Sequence, residues 1–230
     1  RPLLDSTTST DRFPTVWSRG FTGGSTPYPG VKVAVVEAQG IYFGHDYLKD
    51  GVYSNSSNPN LGDGHATMVA GIIASTYPTY RGVAYDAPAL YSANAGSFAA
   101  ADLKNATNNA IAASARVLNL SFCVATTNRS ISDFGHYYDY IVSNQFRTVI
   151  AASGNSISDY VADPAVAYNT IGVGGISNQN TPNWSDDKIW VQLSFADIGA
   201  SYKNPADGRE KPEVVADADQ VTSTDNNNGF

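Results

Sequence analysis

Residues 63–75 read DGHATMVAGIIAS, and the reading of the whole chain turns on them. A polar, glycine-containing lead-in gives way to Ala, Val and Ile with small residues between them. That pattern predicts a buried helix whose first turn carries His65. The positive end of a helix favours a neutral imidazole, the form a general base needs. Taken alone, a histidine at such a place reads first as a structural cap. Asp63 offers a nearby carboxylate, and its plainer reading is also a helix-start cap.

The flanking sequence changes that reading. Upstream, residues 31–37 (VKVAVVE) form an almost continuous β-branched run, as a central parallel strand covered on both faces requires. The run ends in Glu37, just before a glycine-containing turn. Downstream, predicted strands at 89–94, 116–122, 147–153 and 170–175 accompany predicted helices at 99–113 and 131–145. This alternation predicts an α/β fold: a doubly wound, mostly parallel sheet with helices on both faces. In such sheets functional groups gather at the carboxyl ends of strands. Glu37, Ser121 and Asn155 all lie at or just beyond such ends. Residues 1–30, rich in Pro, Ser, Thr and Gly, read as an N-terminal wrap with one short helix around 11–19. Residues 31–177 form the parallel core, and 178–230 edge strands and a tail. Within that last part 190–195 reads as a small antiparallel addition, 211–217 as a further extended piece, and 225–229 as a loop-like or disordered tail. No internal repeat or linker divides the chain, so it reads as a single domain.

Composition narrows the partners. A net charge of −7 over 230 residues argues against a nucleic-acid or anionic-membrane partner. No apolar run approaches the length of a membrane span. A lone cysteine, Cys123, excludes an internal disulfide framework. The chain opens on Arg1 without a signal-peptide pattern, as a processed mature chain would. Several Asn-x-Ser/Thr sequons occur, those at Asn55, Asn105, Asn128 and Asn183 among them, and they matter only in a glycosylating secretory pathway.

Five segments taken together resemble the subtilisin-like serine proteases, the subtilases. They are VKVAVVE (31–37), GHATMVAG (64–71), VLNLS (117–121), VIAASGN (149–155) and KPEVVA (211–216), in that family's order and at family-like separations. The resemblance implies a secreted serine endopeptidase that cleaves peptide bonds through an acyl-enzyme, with catalytic residues in the order acid, base, serine. Carried over by position, His65 is the base, Glu37 stands where the family has aspartate, and Asn155 is the oxyanion-hole donor. Ser121, Phe122 and Cys123, with Gly154, align with the wall of the pocket for the residue before the scissile bond. Gly96 aligns with an edge that pairs with extended substrate. The implied partners are a peptide or protein substrate and a propeptide or protein inhibitor. Calcium is the one structural ion the resemblance admits, with Asp186, Asp187, Asp217 and Asp219 as scattered carboxylates rather than a recognisable binding loop. No metal or cofactor takes part in the implied chemistry.

Three departures from the family pattern carry expectations. Glu37 is one methylene longer than aspartate, and one extra residue sits in the turn EAQG (37–40). Ala66 and Met68 replace the usual glycine and second histidine. No serine stands in a Gly-Thr-Ser context, so the domain reads as C-terminally incomplete. A complementary C-terminal segment is then expected to supply the nucleophile, with the break after Phe230 arising by autoproteolysis, processing or truncation. The rival reading is a pseudoprotease, the same fold kept for protein or peptide binding. His45 and His136 read as structural, Cys123 as a small apolar side chain without an activating base. Residues 172–175 (GVGG) lack the third, helix-opening glycine of a dinucleotide fingerprint.

Overall fold

The computed structural model describes residues 8–24, 30–48, 64–88, 90–124, 130–157, 159–191, 199–219 and 221–230, with backbone alone at 52–53. Asp63, Asn55 and Asn128 lie outside the described residues, as does most of the predicted strand at 190–195. The chain's contacts form two compact units: Arg1–Leu118 with Gln220–Phe230, and Asn119–Asp219.

In the first unit β1 (Val33–Glu37), β2 (Val52–Tyr53) and β3 (Leu90–Asn94) run parallel, with β3 between the other two. The register sets Val33 opposite Leu90 and Glu37 opposite Asn94. Ala34, Val35 and Val36 are each no more than 1% exposed, as a strand covered on both faces must be. Helix α1 (Phe13–Trp17) belongs to the N-terminal wrap, and Trp17 donates its indole N–H to Val83 O at 2.9 Å. Helix α2 (His65–Ala74) packs Ala66, Val69 and Ala70 against Val35, Ile41, Leu48 and Leu90. Its β-branched residues are modest helix formers, so this burial, not propensity, holds the helix. Helix α3 (Ala100–Ala112) starts where Ser97 Oγ accepts from Ala99 N at 3.0 Å and donates to Asp102 at 2.5 Å. At its far end Lys32 Nζ donates to Ala113 O at 2.6 Å, placing a cation on the negative pole of the helix.

The last residues of the chain return to α2. Ser223 Oγ and Thr224 Oγ1 each donate to a helix carbonyl, Met68 O and Thr67 O, at 2.7 Å. Further on, Asn228 donates to Asp46 at 2.7 Å, Gly229 O meets His45 Nε2 at 3.1 Å, and Phe230 packs on Tyr47, Tyr77 and Tyr80. The stretch expected as loop-like or disordered is therefore a docked turn, because its partners lie some 180 residues away in sequence. Gly71 makes this close approach feasible: a Cβ there would overlap both the Ser223 and the Thr224 hydroxyl. Neither hydroxyl can retreat without losing its bond to the helix. Gly71→Ala gains roughly 1 kcal/mol of helix propensity but overpacks a filled site, a change that costs about 1–3 kcal/mol before the hydroxyl bonds are counted. The expected outcome is a lower urea midpoint at unchanged m-value; an unchanged or raised midpoint would refute the packing argument.

The second unit carries β4 (Val117–Leu120, entered from the first unit), β5 (Thr148–Ala152), β6 (Ile171–Ser177), β7 (Lys188–Ile189) and β8 (Val214–Asp217). β5 and β8 both pair with β6 in parallel, while β7 pairs with it antiparallel through Ile176 and Ile189. The antiparallel addition is thus short, and the extended piece at 211–217 enters the sheet as a parallel strand. Lys211, 4% exposed, anchors that strand by donating to Thr170 O at 3.0 Å and pairing with Glu213. Burial pulls the Lys211 ammonium below its ordinary value, against the Glu213 carboxylate that supports it.

Helix α4 (Asp133–Gln145) begins at Ser132, whose hydroxyl accepts from Phe134 N at 3.1 Å and donates to Asp163. Asp163 also accepts from Ser132 N at 3.0 Å, yet is itself fully buried. Burial pushes its carboxyl above the usual carboxylate range. The Ser132 bonds and His136 pull it back, and Asp139 adds to the rise. A raised native pKa means the folded chain holds this proton where the unfolded chain has lost it. Its contribution is complete below the ordinary aspartate value and falls away as pH rises through the raised one. Asp163→Asn is therefore expected to flatten the loss of unfolding free energy across that window, measured by urea titration at several pH values. Parallel slopes for the two proteins would contradict this.

Candidate active site

Glu37 ends β1 in a setting that suits a fixed acid. Its neighbours in the strand are buried, its own exposure is 3%, and its carbonyl accepts from Ala95 N at 2.8 Å, across from β3. The turn that follows is held by Ile41 N, which donates to Ser92 Oγ at 3.0 Å, and by Tyr42 N, which donates to Thr67 Oγ1 at 2.9 Å.

His65 occupies the first position of α2, after Gly64 at φ 87°. A left-handed glycine there lets the chain turn sharply into the helix. Nδ1 of His65 lies 3.2 Å from Glu37 Oε1, with the imidazole 40% exposed and the carboxylate 4% exposed. The approach is off the ideal line, and no well-aligned hydrogen bond reaches Oε1 among the described residues. The other oxygen, Oε2, accepts from Ala38 N at 3.2 Å. Long or tilted bonds of this kind are common in unliganded sites and tighten when substrate binds.

The longer side chain reaches the imidazole although it replaces the shorter acid of the family pattern. On the same unit Gly96 (φ 78°) follows β3, and its N–H donates to Asn94 Oδ1 at 2.9 Å. Asn94 sits opposite Glu37 in register, which puts Gly96 two residues beyond the acid's partner.

In the second unit Asn155 follows β5 in a turn built on Gly154 (φ 117°), where a Cβ would crowd Ser201 Oγ at 2.7 Å. Ser201 pins the turn: its N–H donates to Gly154 O at 3.1 Å and its hydroxyl to Ser156 O at 2.8 Å. The Asn155 residue is exposed. Ser121, Gly154 and Asn155 line one cavity of about 300 Å³ with Ser153, Trp190 and Ala216. Ser121 Oγ accepts from Asn119 Nδ2 at 2.8 Å. Phe122 does not line that cavity; it is buried and packs its ring on Phe134 at 6.2 Å. Cys123 reaches the surface, yet crowding around its sulfur pushes the thiol above its ordinary value. The Asn155 N–H opposes that rise and Asp159 adds to it. A thiol held protonated is a poor nucleophile.

Thr67 on α2, and Ser223, Thr224 and Asn226 packed against that helix, carry no signal in the sequence, because short polar side chains bonded across long separations leave no local pattern. His45 is buried and takes Tyr47 N on Nδ1 at 3.2 Å, and His136 faces Asp139 at 3.8 Å; both are placed in structural contacts. Among the described residues no group of three or more His, Cys, Asp or Glu is arranged to hold a metal ion, and no helix is long and apolar enough to cross a membrane.

The chain is similar to known proteins. Residues 29–230 match the model of the Subtilase family. The chain is 31% identical over 215 residues to the subtilisin-like protease SBT6.1 of Arabidopsis thaliana, covering 87% of this chain and 19% of that protein. It is 30% identical over 208 residues to the alkaline elastase YaB of Bacillus sp. (strain YaB), covering 85% of this chain and 51% of that protein. It therefore spans about half the length, or less, of these relatives. Among solved structures, the prenylagaramide maturation protease PagA superposes with a TM-score of 0.68 at 18% identity, covering 94% of this chain and 70% of that one. MycP1 with its N-terminal propeptide removed gives 0.66 at 20% identity, covering 96% and 72%. These two likenesses establish the fold, a mostly parallel sheet with helices, and the family match establishes descent: the chain belongs to the subtilases.

Proposed function

We propose that this chain is the larger part of a serine endopeptidase that cleaves peptide bonds through an acyl-enzyme. The observation that carries the reading is the buried Glu37 carboxylate 3.2 Å from Nδ1 of the half-exposed His65. In the proposed cycle a serine hydroxyl attacks the peptide carbonyl while His65 Nε2 takes its proton. The same nitrogen later delivers that proton to the departing amine. Glu37 holds the imidazole in the tautomer with the proton on Nδ1 and supports its positive charge. Asn155 donates its side-chain amide to the oxygen that becomes negative. In the proposal Ser121, Cys123 and Gly154 form the wall for the residue before the scissile bond, with Phe122 packed behind it, and Gly96 lies on an edge that pairs with extended substrate.

The serine is assigned to sequence outside these 230 residues, on a complementary segment. Support comes from β8, whose Val214 and Val215 point to opposite faces of the sheet and are 49% and 56% exposed, apolar surface that a covering segment would bury. The proposed protein acts outside the cell on peptides or proteins and is restrained by a propeptide or a protein inhibitor until needed. Incubating the intact protein with unfolded casein tests the reading: new amino termini should appear by mass spectrometry, and none with the His65→Ala variant. Equal cleavage by both proteins, or none by either, would overturn it.

A further inference from the structure

Thr67 has no exposed surface and sits two residues beyond His65 on α2. A hydroxyl has one proton to give and two lone pairs to offer. Here the proton goes to Asn226 Oδ1 at 2.5 Å, and a lone pair takes the N–H of Tyr42 at 2.9 Å. Tyr42 lies five residues beyond Glu37, at the close of the turn that carries the acid, and Asn226 lies on the returning segment 221–230. The Thr67 carbonyl accepts in addition from Thr224 at 2.7 Å. One residue thus joins the acid's turn, the base's helix and the returning segment, all within the first unit.

The link matters because the acid and base meet on two separate elements. β1 is fixed in the sheet, and α2 is fixed by its apolar face, but neither fixes the rotation and advance of the helix start relative to the turn. The Glu37–His65 approach is already long and tilted. A slip of about 1 Å in such a pair costs on the order of 100-fold in rate. We propose that Thr67 is a positioning residue whose hydroxyl sets the Glu37–His65 distance and ties it to the placement of residues 221–230. The inference rests on the reading of His65 as base and Glu37 as its orienting acid.

The test compares Thr67→Val, which keeps the shape and removes both hydroxyl bonds, with Thr67→Ser, which restores them, in the intact protein. Thr67→Val is expected to lower kcat by roughly 30–100-fold with KM within about twofold, and Thr67→Ser to stay within about threefold of the parent. Asn226→Ala, which removes the Thr67 hydroxyl's acceptor from a half-buried position, is expected to lower kcat by about 5–10-fold and serves if Thr67→Val does not fold. A second readout needs no activity. In isotope-labelled protein the His65 imidazole titration should move down in Thr67→Val, as the carboxylate loses its alignment, and return in Thr67→Ser. Unmoved kcat and an unmoved titration in Thr67→Val would overturn the proposal. So would equal damage from valine and serine. An intact parent that cleaves nothing, with the titration still moving, would sink the peptidase reading and leave the positioning role standing.

Discussion

His65→Ala is expected to lower kcat for a peptide substrate by about 10⁶-fold, the scale known for deleting the base of subtilisin itself. The physical reason is that a serine hydroxyl keeps its proton at neutral pH unless a neighbouring group takes it during attack. The arrangement here leaves one imidazole for that task, half-exposed at the start of a helix with a buried carboxylate behind it. The residue's exposure and its position at the helix end mean the substitution removes little packing. Unfolding midpoints of variant and parent should agree closely while turnover collapses. Residual cleavage within tenfold of the parent would show that another group acts as base.

Glu37 gives the second large effect, and its two substitutions separate charge from reach. Glu37→Gln keeps the shape and removes the charge, so the imidazolium that forms during attack loses its support and the wrong tautomer is favoured. The expected loss in kcat is about 10⁴-fold. Glu37→Asp restores the acid typical of the family but withdraws it by one methylene. Because the turn after β1 is anchored at Ile41 and Tyr42 for the longer side chain, the shorter carboxylate falls about 1 Å short, with an expected loss near 100-fold. If Glu37→Asp instead matches the parent, the turn is free to adjust and the acid's length carries no meaning. Steady-state kinetics on the intact proteins decide both points.

Much of this was legible because local chemistry wrote it. The run 31–37 has no polar residue between Val33 and Glu37, and its burial in the sheet is what such a run demands. The small and branched residues after His65 could only form a helix by burying most of its surface, and they do. The turn at Gly154 and Asn155 announced itself through a glycine at a strand end. What stayed hidden depends on contacts between distant parts of the chain. Residues 225–229 have the composition of a solvated tail, yet partners at His45, Asp46 and Thr67 order their surroundings. Nothing in a string of Asn residues foretells that. The extended piece at 211–217 carried no sign of its parallel pairing with β6, because strand direction is set by where the preceding loop returns the chain. Phe122 aligns with the family's substrate wall. Its burial against Phe134 shows that a strand end can supply core as well as surface.

In the proposed mechanism Glu37 and His65 activate a serine for attack on peptide carbonyls. Fluorophosphonate labelling of the intact protein, followed by mass spectrometry of the adduct, tests it most directly. The account predicts a stoichiometric adduct on one serine in the intact parent, formed at a rate that falls by orders of magnitude in His65→Ala. A folded parent that binds peptides yet takes up no label, or labels as fast without His65, would contradict it.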